Sequence, residues 1–219
     1  MTKFALAAVA ALVPISTLQA VPVDCTTLAS NLAAYITQSA AGGCFVQDKL
    51  FTNFSYTGGG AVAAANVAVD PVFTVLPGQE IHGFTFTTGA GIPVWVTGFT
   101  LAYTIQVDPP GVTQRIVSAK TQGNFGNVPP NPAMIVDTLG NGVVQTVSLG
   151  GGETDIDSFA PVASLSVSNA ATIPTGGFLI SLENTFTQVD TAIPEPATNI
   201  LIGSVLLGLA AFMRKRRTV

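Results

Sequence analysis

The stretch FTLAYTIQV, residues Phe99–Val107, decides the fold class of this chain. Large apolar side chains occupy every second position, and small or polar ones stand between them. A twofold period of this kind is typical of an antiparallel strand that has one buried face and one solvated face. The stretch therefore predicts a sheet whose apolar face packs against a second layer.

Shorter runs with the same character lie on both sides of this strand, and turn signals rich in Gly, Pro and Asn separate them. They are Leu50–Tyr56, Ala61–Val69, Val72–Leu76, Gly83–Thr87, Pro93–Thr97, Arg115–Thr121, Met134–Thr138, Val143–Leu149, Ala163–Val167 and Phe178–Leu182. Many short strands without long helices between them favour an all-β fold, here an antiparallel β-sandwich with jelly-roll-like connections. Trp95 and most of the 13 Phe residues are expected in its core.

The first twenty residues are predicted to be a signal peptide. Lys3 supplies a positive charge, an apolar stretch follows over Phe4–Ile15, and a small-residue cleavage site lies between Ala20 and Val21. A buried N-terminal helix is the alternative. We expect the chain to be exported and its mature form to begin at Val21.

A short helix at 26–41 is predicted before the first strand. Its apolar residues recur at helical spacing, and the pair Gly42-Gly43 ends the pattern. These apolar residues are Leu28, Leu32, Tyr35 and Ile36. The spacing indicates an amphipathic helix packed on the sandwich.

Two cysteines, Cys25 and Cys44, enclose this helix. An even number of cysteines in an exported chain favours a disulfide, which would staple the helix to the strand after Cys44. The alternatives are a metal site and a catalytic thiol. Two cysteines and the distant His82 are too few ligands for structural zinc, and neither cysteine has a base beside it in sequence.

The C-terminal segment at 193–219 has three parts in a fixed order. The turn Pro194-Glu195-Pro196 comes first, an apolar run over Ile200–Met213 follows, and the basic cluster Arg214, Lys215, Arg216 and Arg217 closes it. The 17 residues from Ala197 to Met213 would span about 25 Å as a helix, which is slightly short for a bilayer core of about 30 Å. We predict a transmembrane helix whose basic cluster stays cytoplasmic; a buried C-terminal helix is the alternative.

This arrangement closely resembles the PEP-CTERM sorting signal of Gram-negative bacteria. The resemblance rests on Pro194–Thr198, on the Leu-, Gly- and Ala-rich run and on Arg214–Arg217. It implies that a membrane-embedded exosortase recognises the Pro-Glu-Pro motif, removes the tail and passes the protein to the cell surface or the extracellular matrix. The stretch Gly43–Tyr56 also resembles one that recurs among exported proteins with this tail, and it implies no activity.

The segment between the two ends is strongly acidic. Three basic and eleven acidic residues lie between Val21 and Ile193, which gives a net charge of −8. Such a surface repels phosphate backbones, so nucleic acid is disfavoured as a partner.

The sequence marks no catalytic constellation and no cofactor. His82 is the only histidine, no GxSxG motif surrounds a serine, and we expect His82 at the end of a strand. No two of the carboxylates are marked as partners, although a paired-carboxylate glycosidase depends on a distance that sequence does not give. The protein is therefore predicted not to be an enzyme.

An acidic segment over Gly150–Ser158 is the one candidate for metal binding that the sequence offers. Glu153, Asp155 and Asp157 alternate after three glycines, and their carboxylates would suit Ca²⁺. The spacing does not match the EF-hand loop, so a solvated turn between strands is the favoured interpretation.

These observations predict an exported, non-enzymatic protein of the cell surface or extracellular matrix, with its sandwich domain at 21–192. Its expected partners are an exosortase-type enzyme, the secretion machinery, the inner membrane and exopolysaccharide. A carbohydrate-binding module is the first alternative, by analogy with other sandwiches. A secreted hydrolase is the second, and a close pair of carboxylates in a cleft would favour it.

Overall fold

The computed structural model describes residues 21–88, 94–108, 113–126, 133–149 and 153–191. Strands are numbered in chain order, and each sheet is described from one edge to the other. The seven-stranded sheet consists of β1 Val23–Asp24, β2 Cys44–Val46, β3 Lys49–Gly58, β6 Phe99–Val107, β11 Ser164–Thr172, β8 Met134–Leu139 and β9 Val144–Ser148. The five-stranded sheet consists of β10 Thr154–Val162, β7 Gln114–Gly126, β12 Phe178–Asp190, β5 Gln79–Thr88 and β4 Val67–Leu76.

The two sheets form a sandwich, as the strand pattern predicted. All strand pairs are antiparallel except the short pair of β1 with β2. Hairpins join β2 to β3, β4 to β5 and β8 to β9, and most other connections pass from one sheet to the other. The apolar faces of both sheets therefore meet in one core.

Strand β6 matches the predicted boundaries Phe99–Val107 and pairs with β3 and β11. Its large apolar side chains are all buried, and the residues between them are half-buried or exposed. Tyr103 lies among aromatic rings from both sheets, including Phe54, Phe84 and Phe186. The alternation thus places this strand at the centre of an aromatic core.

The helix predicted at 26–41 is shorter in the structure. A 3₁₀ turn covers Cys25–Thr27, and α1 runs over Leu32–Ala40. The later start follows from Asn31, whose side-chain oxygen accepts the Ala34 N–H at 3.1 Å and caps the helix. The helix still buries one apolar stripe against the sandwich.

The predicted disulfide between Cys25 and Cys44 is confirmed, with a Cα–Cα distance of 4.9 Å. It joins the 3₁₀ turn to β2 and lies in the core. The Tyr35 hydroxyl donates to the Cys25 carbonyl at 3.1 Å, so α1 is hydrogen-bonded to the 3₁₀ turn that carries the disulfide. Closing a loop of this size stabilises a fold by about 3 kcal/mol in the chain-entropy model.

Two strand predictions in the first half of the chain are corrected. The runs Ala61–Val69 and Val72–Leu76 are not two strands: residues 61–66 form a turn and a 3₁₀ helix, and β4 is continuous over Val67–Leu76. Pairing of all ten residues with β5 carries the strand through Asp70 and Pro71. In the run Pro93–Thr97, Trp95 makes only an isolated bridge to Leu179 in the part that is described.

The acidic segment is corrected as well. The sequence favours a solvated turn over Gly150–Ser158, but β10 begins at Thr154 and pairs with β7. Residues 150–152 lie outside the described part. β10 is an edge strand with half-exposed side chains, so its polar composition suits its position.

No helix among residues 21–88, 94–108, 113–126, 133–149 and 153–191 is long and apolar enough to cross a membrane. Three predicted features lie outside the described residues: the signal peptide at 1–20 with its cleavage site before Val21, the sorting segment at 193–219, and the transmembrane helix within it.

A buried polar network joins the two sheets inside the apolar core. Asn184 Nδ2 lies within hydrogen-bond distance of Thr121 Oγ1, Asn169 Oδ1 and Asp137 Oδ2, at 2.9, 3.1 and 3.2 Å. Thr121 Oγ1 is also 2.7 Å from Asp137 Oδ2 and 3.0 Å from Gln145 Oε1. Because β7 and β12 belong to one sheet and β8, β9 and β11 to the other, the network fixes how the sheets face each other.

Asp137 is the ionisable member of this network. Burial raises the pKa of Asp137 to about 6, and hydrogen bonds from Thr121 and the Ser168 backbone offset only part of that effect. Its Oδ1 atom and the Tyr103 hydroxyl have no hydrogen-bond partner among the described residues. Burial, followed by the charge of Asp137, raises the pKa of Tyr103 well above its usual value.

We expect acid to stabilise the sandwich through Asp137. Its native pKa of about 6 lies above the usual value of about 3.9 in an unfolded chain, so the native state binds the proton more tightly. This contribution is fully present below about pH 4 and is lost as the pH rises through 6. Relative to Asp137→Asn, the wild type should lose about 2 kcal/mol of unfolding free energy between pH 4 and pH 7. Urea titrations of both proteins at the two pH values measure this loss. A difference in unfolding free energy between the two proteins that does not change with pH would contradict the prediction.

Candidate functional site

Charged and polar side chains from both sheets meet at one end of the sandwich. Asp48 and Lys49 come from the β2–β3 hairpin of the seven-stranded sheet. Glu80 and His82 come from β5, and Gln188 comes from β12 of the five-stranded sheet. We call these five residues the end cluster.

Strand register places the members of the five-stranded sheet side by side. Gln188 pairs with Glu80, and Phe186 pairs with His82. Phe73 of β4 lies opposite His82 on the other side, with the two rings 5.1 Å apart. Directly opposed residues point to the same face, so Glu80, His82 and Gln188 extend the inward face that Phe186 occupies.

The hairpin supplies the other two members. Val46 pairs with Lys49, so the turn consists of Gln47 and Asp48, and Gln47 has a left-handed φ of 57°. Alternation along β3 then turns Lys49 inward together with Phe51, and both side chains are fully buried. The turn thereby places the Asp48 carboxylate next to the Lys49 ammonium.

Lys49 forms an ion pair with the neighbouring Asp48. Its Nζ atom lies 2.5 Å from Asp48 Oδ1. Burial lowers the pKa of Lys49, against the opposing effects of Asp48 and Glu80. Burial favours a higher pKa for Asp48, but Lys49, Gln188 and His82 outweigh it, so the pKa of Asp48 is lowered.

His82 is fully buried inside β5, which corrects the expectation that it lies at a strand end. Its Nε2 atom is 3.5 Å from Glu80 Oε2 and 3.7 Å from Asp48 Oδ1. Within the described part of the chain, neither ring nitrogen has a hydrogen-bond partner. Burial and the Lys49 charge lower the pKa of His82, and the two carboxylates oppose this only in part. The imidazole is therefore neutral at pH 7.

Gln188 connects the two carboxylates. Its Nε2 atom donates to Glu80 Oε2 at 2.7 Å and to Asp48 Oδ2 at 3.2 Å. The carboxylates remain in contact with solvent, since the Asp48 and Glu80 side chains are 27% and 34% exposed.

A cavity of about 220 Å³ opens beside the end cluster. Glu80 and Gln188 form part of its wall. The other side chains that line it are Val75, Leu76, Gln79, Gln114 and Asp190. The cavity therefore offers amide and carboxylate groups next to an apolar surface.

The structure does not gather the acidic residues that the sequence singled out. Asp155 accepts the Thr146 N–H at 2.8 Å, and the Glu153 carbonyl accepts the Gly123 N–H at 2.9 Å. In the described residues, Asp48, Glu80 and His82 form the one group of three whose ligand atoms converge. Asp155 and Asp157 thus lie on the edge strand β10, and Glu153 directly precedes it.

Sequence reasoning missed the end cluster, although a signal for it exists. Glu80 and His82 continue the inward face of Phe84 and Phe86 at intervals of two. Lys49 likewise shares a face with Phe51, and a charged residue in line with buried aromatic rings needs partners in the core. The pattern alone did not identify those partners.

The end cluster meets one condition of a hydrolase, a close pair of carboxylates. The ligand atoms of Asp48, Glu80 and His82 all lie within 4.8 Å of one another, so the structure contains a close carboxylate pair beside a cavity. A glycosidase needs one of its two carboxyl groups protonated as an acid, and the lowered pKa of Asp48 disfavours that role for this residue. Lys49 and Gln188 hold the two carboxylates in an ion network.

We expect the single imidazole of the chain to remain neutral below the usual histidine pKa of about 6.5. NMR titration of the His82 ring signals should give a lower pKa in the folded protein than in urea. In Lys49→Met the pKa should rise towards the urea value, because the charge that opposes protonation is gone while the two carboxylates stay. A folded-state pKa at or above the urea value would contradict the geometry.

Comparisons with known proteins do not extend this description to a family. No protein-family model and no curated protein matches the sequence. Among solved structures, that of FLHE aligns with 54% of this chain and 92% of its own, at 12% identity and a TM-score of 0.26. TmCBM61 in complex with beta-1,4-galactotriose aligns with 54% of this chain and 86% of its own, at 12% identity and a TM-score of 0.23. At these scores neither likeness carries an argument about function.

Proposed function

We propose that this protein is an exported, non-enzymatic component of the cell surface or extracellular matrix, sorted through its C-terminal tail. The observation that carries the proposal is the order of the tail: Pro194-Glu195-Pro196, an apolar run, then Arg214–Arg217. That order would present the turn to a processing enzyme outside the membrane while the basic cluster stays in the cytoplasm.

The disulfide between Cys25 and Cys44 supports export. Disulfides persist in oxidising compartments and are rare in the reducing cytosol. Both cysteines of the chain are used in this one bond. A stapled N-terminal helix suits a domain that must remain folded outside the cell.

The charge balance supports a role in a hydrated matrix. The segment from Val21 to Ile193 carries a net charge of −8. Strong self-repulsion of this kind keeps proteins soluble at high local concentration. The lowered pKa of Asp48 and its ion pair with Lys49 favour a structural role for the end cluster over acid–base catalysis.

The expected partners follow from this route. An exosortase-type enzyme would recognise the Pro-Glu-Pro motif after the secretion machinery has exported the chain. The inner membrane would hold the tail until cleavage, and the acidic domain would then reach the surface or matrix.

The sorting route predicts a defined mature mass in a native host. The wild-type protein should begin at Val21 and lack the basic cluster, and it should be found at the surface or in the medium. Changing Pro194, Glu195 and Pro196 to Ala should leave the tail attached and retain the protein in the membrane fraction. Intact-mass spectrometry of fractionated cells measures both outcomes.

Pro129→Ala combined with Pro130→Ala is the matched control, because it alters a proline pair outside the tail and should leave sorting unchanged. Wild-type protein that still begins at Met1 and stays in the cytoplasm would refute the proposal. Tail retention in the wild type would refute cleavage and leave a membrane-anchored protein.

Binding of carbohydrate is a second candidate function, which the cavity favours. Amide and carboxylate groups beside an apolar wall are the groups that polar ligands with apolar faces require. Gln79, Gln114 and Asp190 offer such groups there, and Val75 and Leu76 offer the apolar surface. A jelly-roll-like sandwich with a site at the end of its five-stranded sheet would accept the chain end or a branch of an exopolysaccharide.

This candidate predicts binding to the polysaccharide of the host. Gln114→Ala should weaken binding of the purified polysaccharide by about tenfold, the size expected for one hydrogen bond of about 1.4 kcal/mol. Gln122→Ala, on the same strand but outside the cavity lining, is the control. Affinity electrophoresis and a glycan array measure binding, and no retardation of the wild type by any glycan would eliminate this function.

A further inference from the structure

We propose that Asp48, Glu80 and His82 bind a divalent transition-metal ion of the Zn²⁺ class. The inference is independent of the tail and goes beyond the proposed function. It rests on the positions of the three ligand atoms, on the surroundings of His82 and on the supporting role of Gln188.

The spacing of the ligand atoms fits a shared ion. His82 Nε2 lies 3.5 Å from Glu80 Oε2 and 3.7 Å from Asp48 Oδ1. Both distances exceed those of ordinary N–H···O hydrogen bonds, which reach about 3.2 Å. Ligands at about 2.0–2.1 Å around a tetrahedral zinc ion are about 3.4 Å apart. His82 thus lies near ligand spacing from both carboxylates, and all three ligand atoms lie within 4.8 Å of one another.

His82 provides an independent indication. The side chain is fully buried, yet neither ring nitrogen has a hydrogen-bond partner among the residues described. A buried polar group without a partner costs about 1–3 kcal/mol. Nε2 points to the two carboxylate oxygens, so a cation placed between them would give this nitrogen the missing interaction.

Gln188 orients both carboxylates in the manner of an outer-shell residue. Its amide nitrogen donates to Glu80 and to Asp48. Hydrogen bonds to ligand carboxylates are typical around protein metal ions. Three protein ligands also leave a coordination position open, and the partial exposure of Glu80 and Asp48 gives that position access to solvent.

The chemical types of the three ligands favour one class of metal ion. One imidazole and two carboxylates suit Zn²⁺ and related first-row ions, whereas Ca²⁺ and Mg²⁺ prefer oxygen ligands alone. Coordination would use the neutral form of the imidazole.

Lys49 is the competing cation. Its ammonium lies 2.5 Å from Asp48 Oδ1, one of the proposed ligand atoms. With a neutral imidazole the cluster carries two negative charges and one positive charge, so it attracts a further cation less strongly than two bare carboxylates would. Removing this ammonium should therefore strengthen metal binding.

The test uses the full chain and Zn²⁺. Isothermal titration should show one ion bound per chain, with affinity reduced at least about tenfold in His82→Gln and in Glu80→Gln. Glu80 is partly exposed, so its substitution tests the site even if the buried His82→Gln variant fails to fold. Glu153→Gln combined with Asp157→Asn is the matched control, which removes two carboxylates elsewhere and should bind Zn²⁺ like the wild type.

NMR supplies a second readout, because His82 is the only histidine. Zn²⁺ should shift its ring signals, whereas the same concentration of Ca²⁺ should not. Equal zinc affinity in the wild type and Glu80→Gln, or unmoved imidazole signals at saturation, would overturn the proposal.

Lys49→Met separates the metal site from a simple ion-pair network. Binding of Zn²⁺ by the wild type, with tighter binding by Lys49→Met, supports the proposal. Binding by Lys49→Met alone would overturn it, because the ammonium would then be the resident cation of the cluster.

Discussion

The alternation of side chains along β12 is the constraint on which the interior of this protein depends. Its inward-facing residues are in turn Leu182, Asn184, Phe186 and Gln188, so every second inward position is polar. A strand between two neighbours cannot turn such residues away without moving its apolar ones out of the core. Asn184 and Gln188 must therefore find partners inside the sandwich, and each lies at the centre of a polar cluster.

The two clusters respond to pH in opposite senses. Asp137, in the network around Asn184, has a raised pKa, so its effect on stability diminishes as the pH rises. His82, beside Gln188, has a lowered pKa, so the native state resists its protonation and loses stability as the pH falls. Both shifts originate in burial between the sheets. The two contributions therefore oppose each other in acid, because Asp137 favours low pH and His82 favours a pH above the usual histidine value.

The sequence predicts those parts of the fold that local pattern controls. The twofold period of Phe99–Val107 and the pairing of Cys25 with Cys44 depend on alternation and on the cysteine count, and the structure contains both. The strand over Thr154–Val162 depends on pairing with β7. The glycine-rich, acidic sequence of this segment does not predict that pairing. The end cluster is still harder to predict from sequence, because Asp48 and Gln188 are 140 residues apart along the chain. Only the strand order brings them into contact.

Lys49 shows why the end cluster is more than a surface feature. The segment from Val21 to Ile193 has three basic residues, and one of them is fully buried. Lys120, by contrast, forms a partly exposed ion pair with Glu183, of the kind that contributes little to stability. Burying an ammonium costs several kcal/mol unless charges surround it. The carboxylates of Asp48 and Glu80 offset that cost from opposite sheets, and so they also stand close enough to receive a cation from outside.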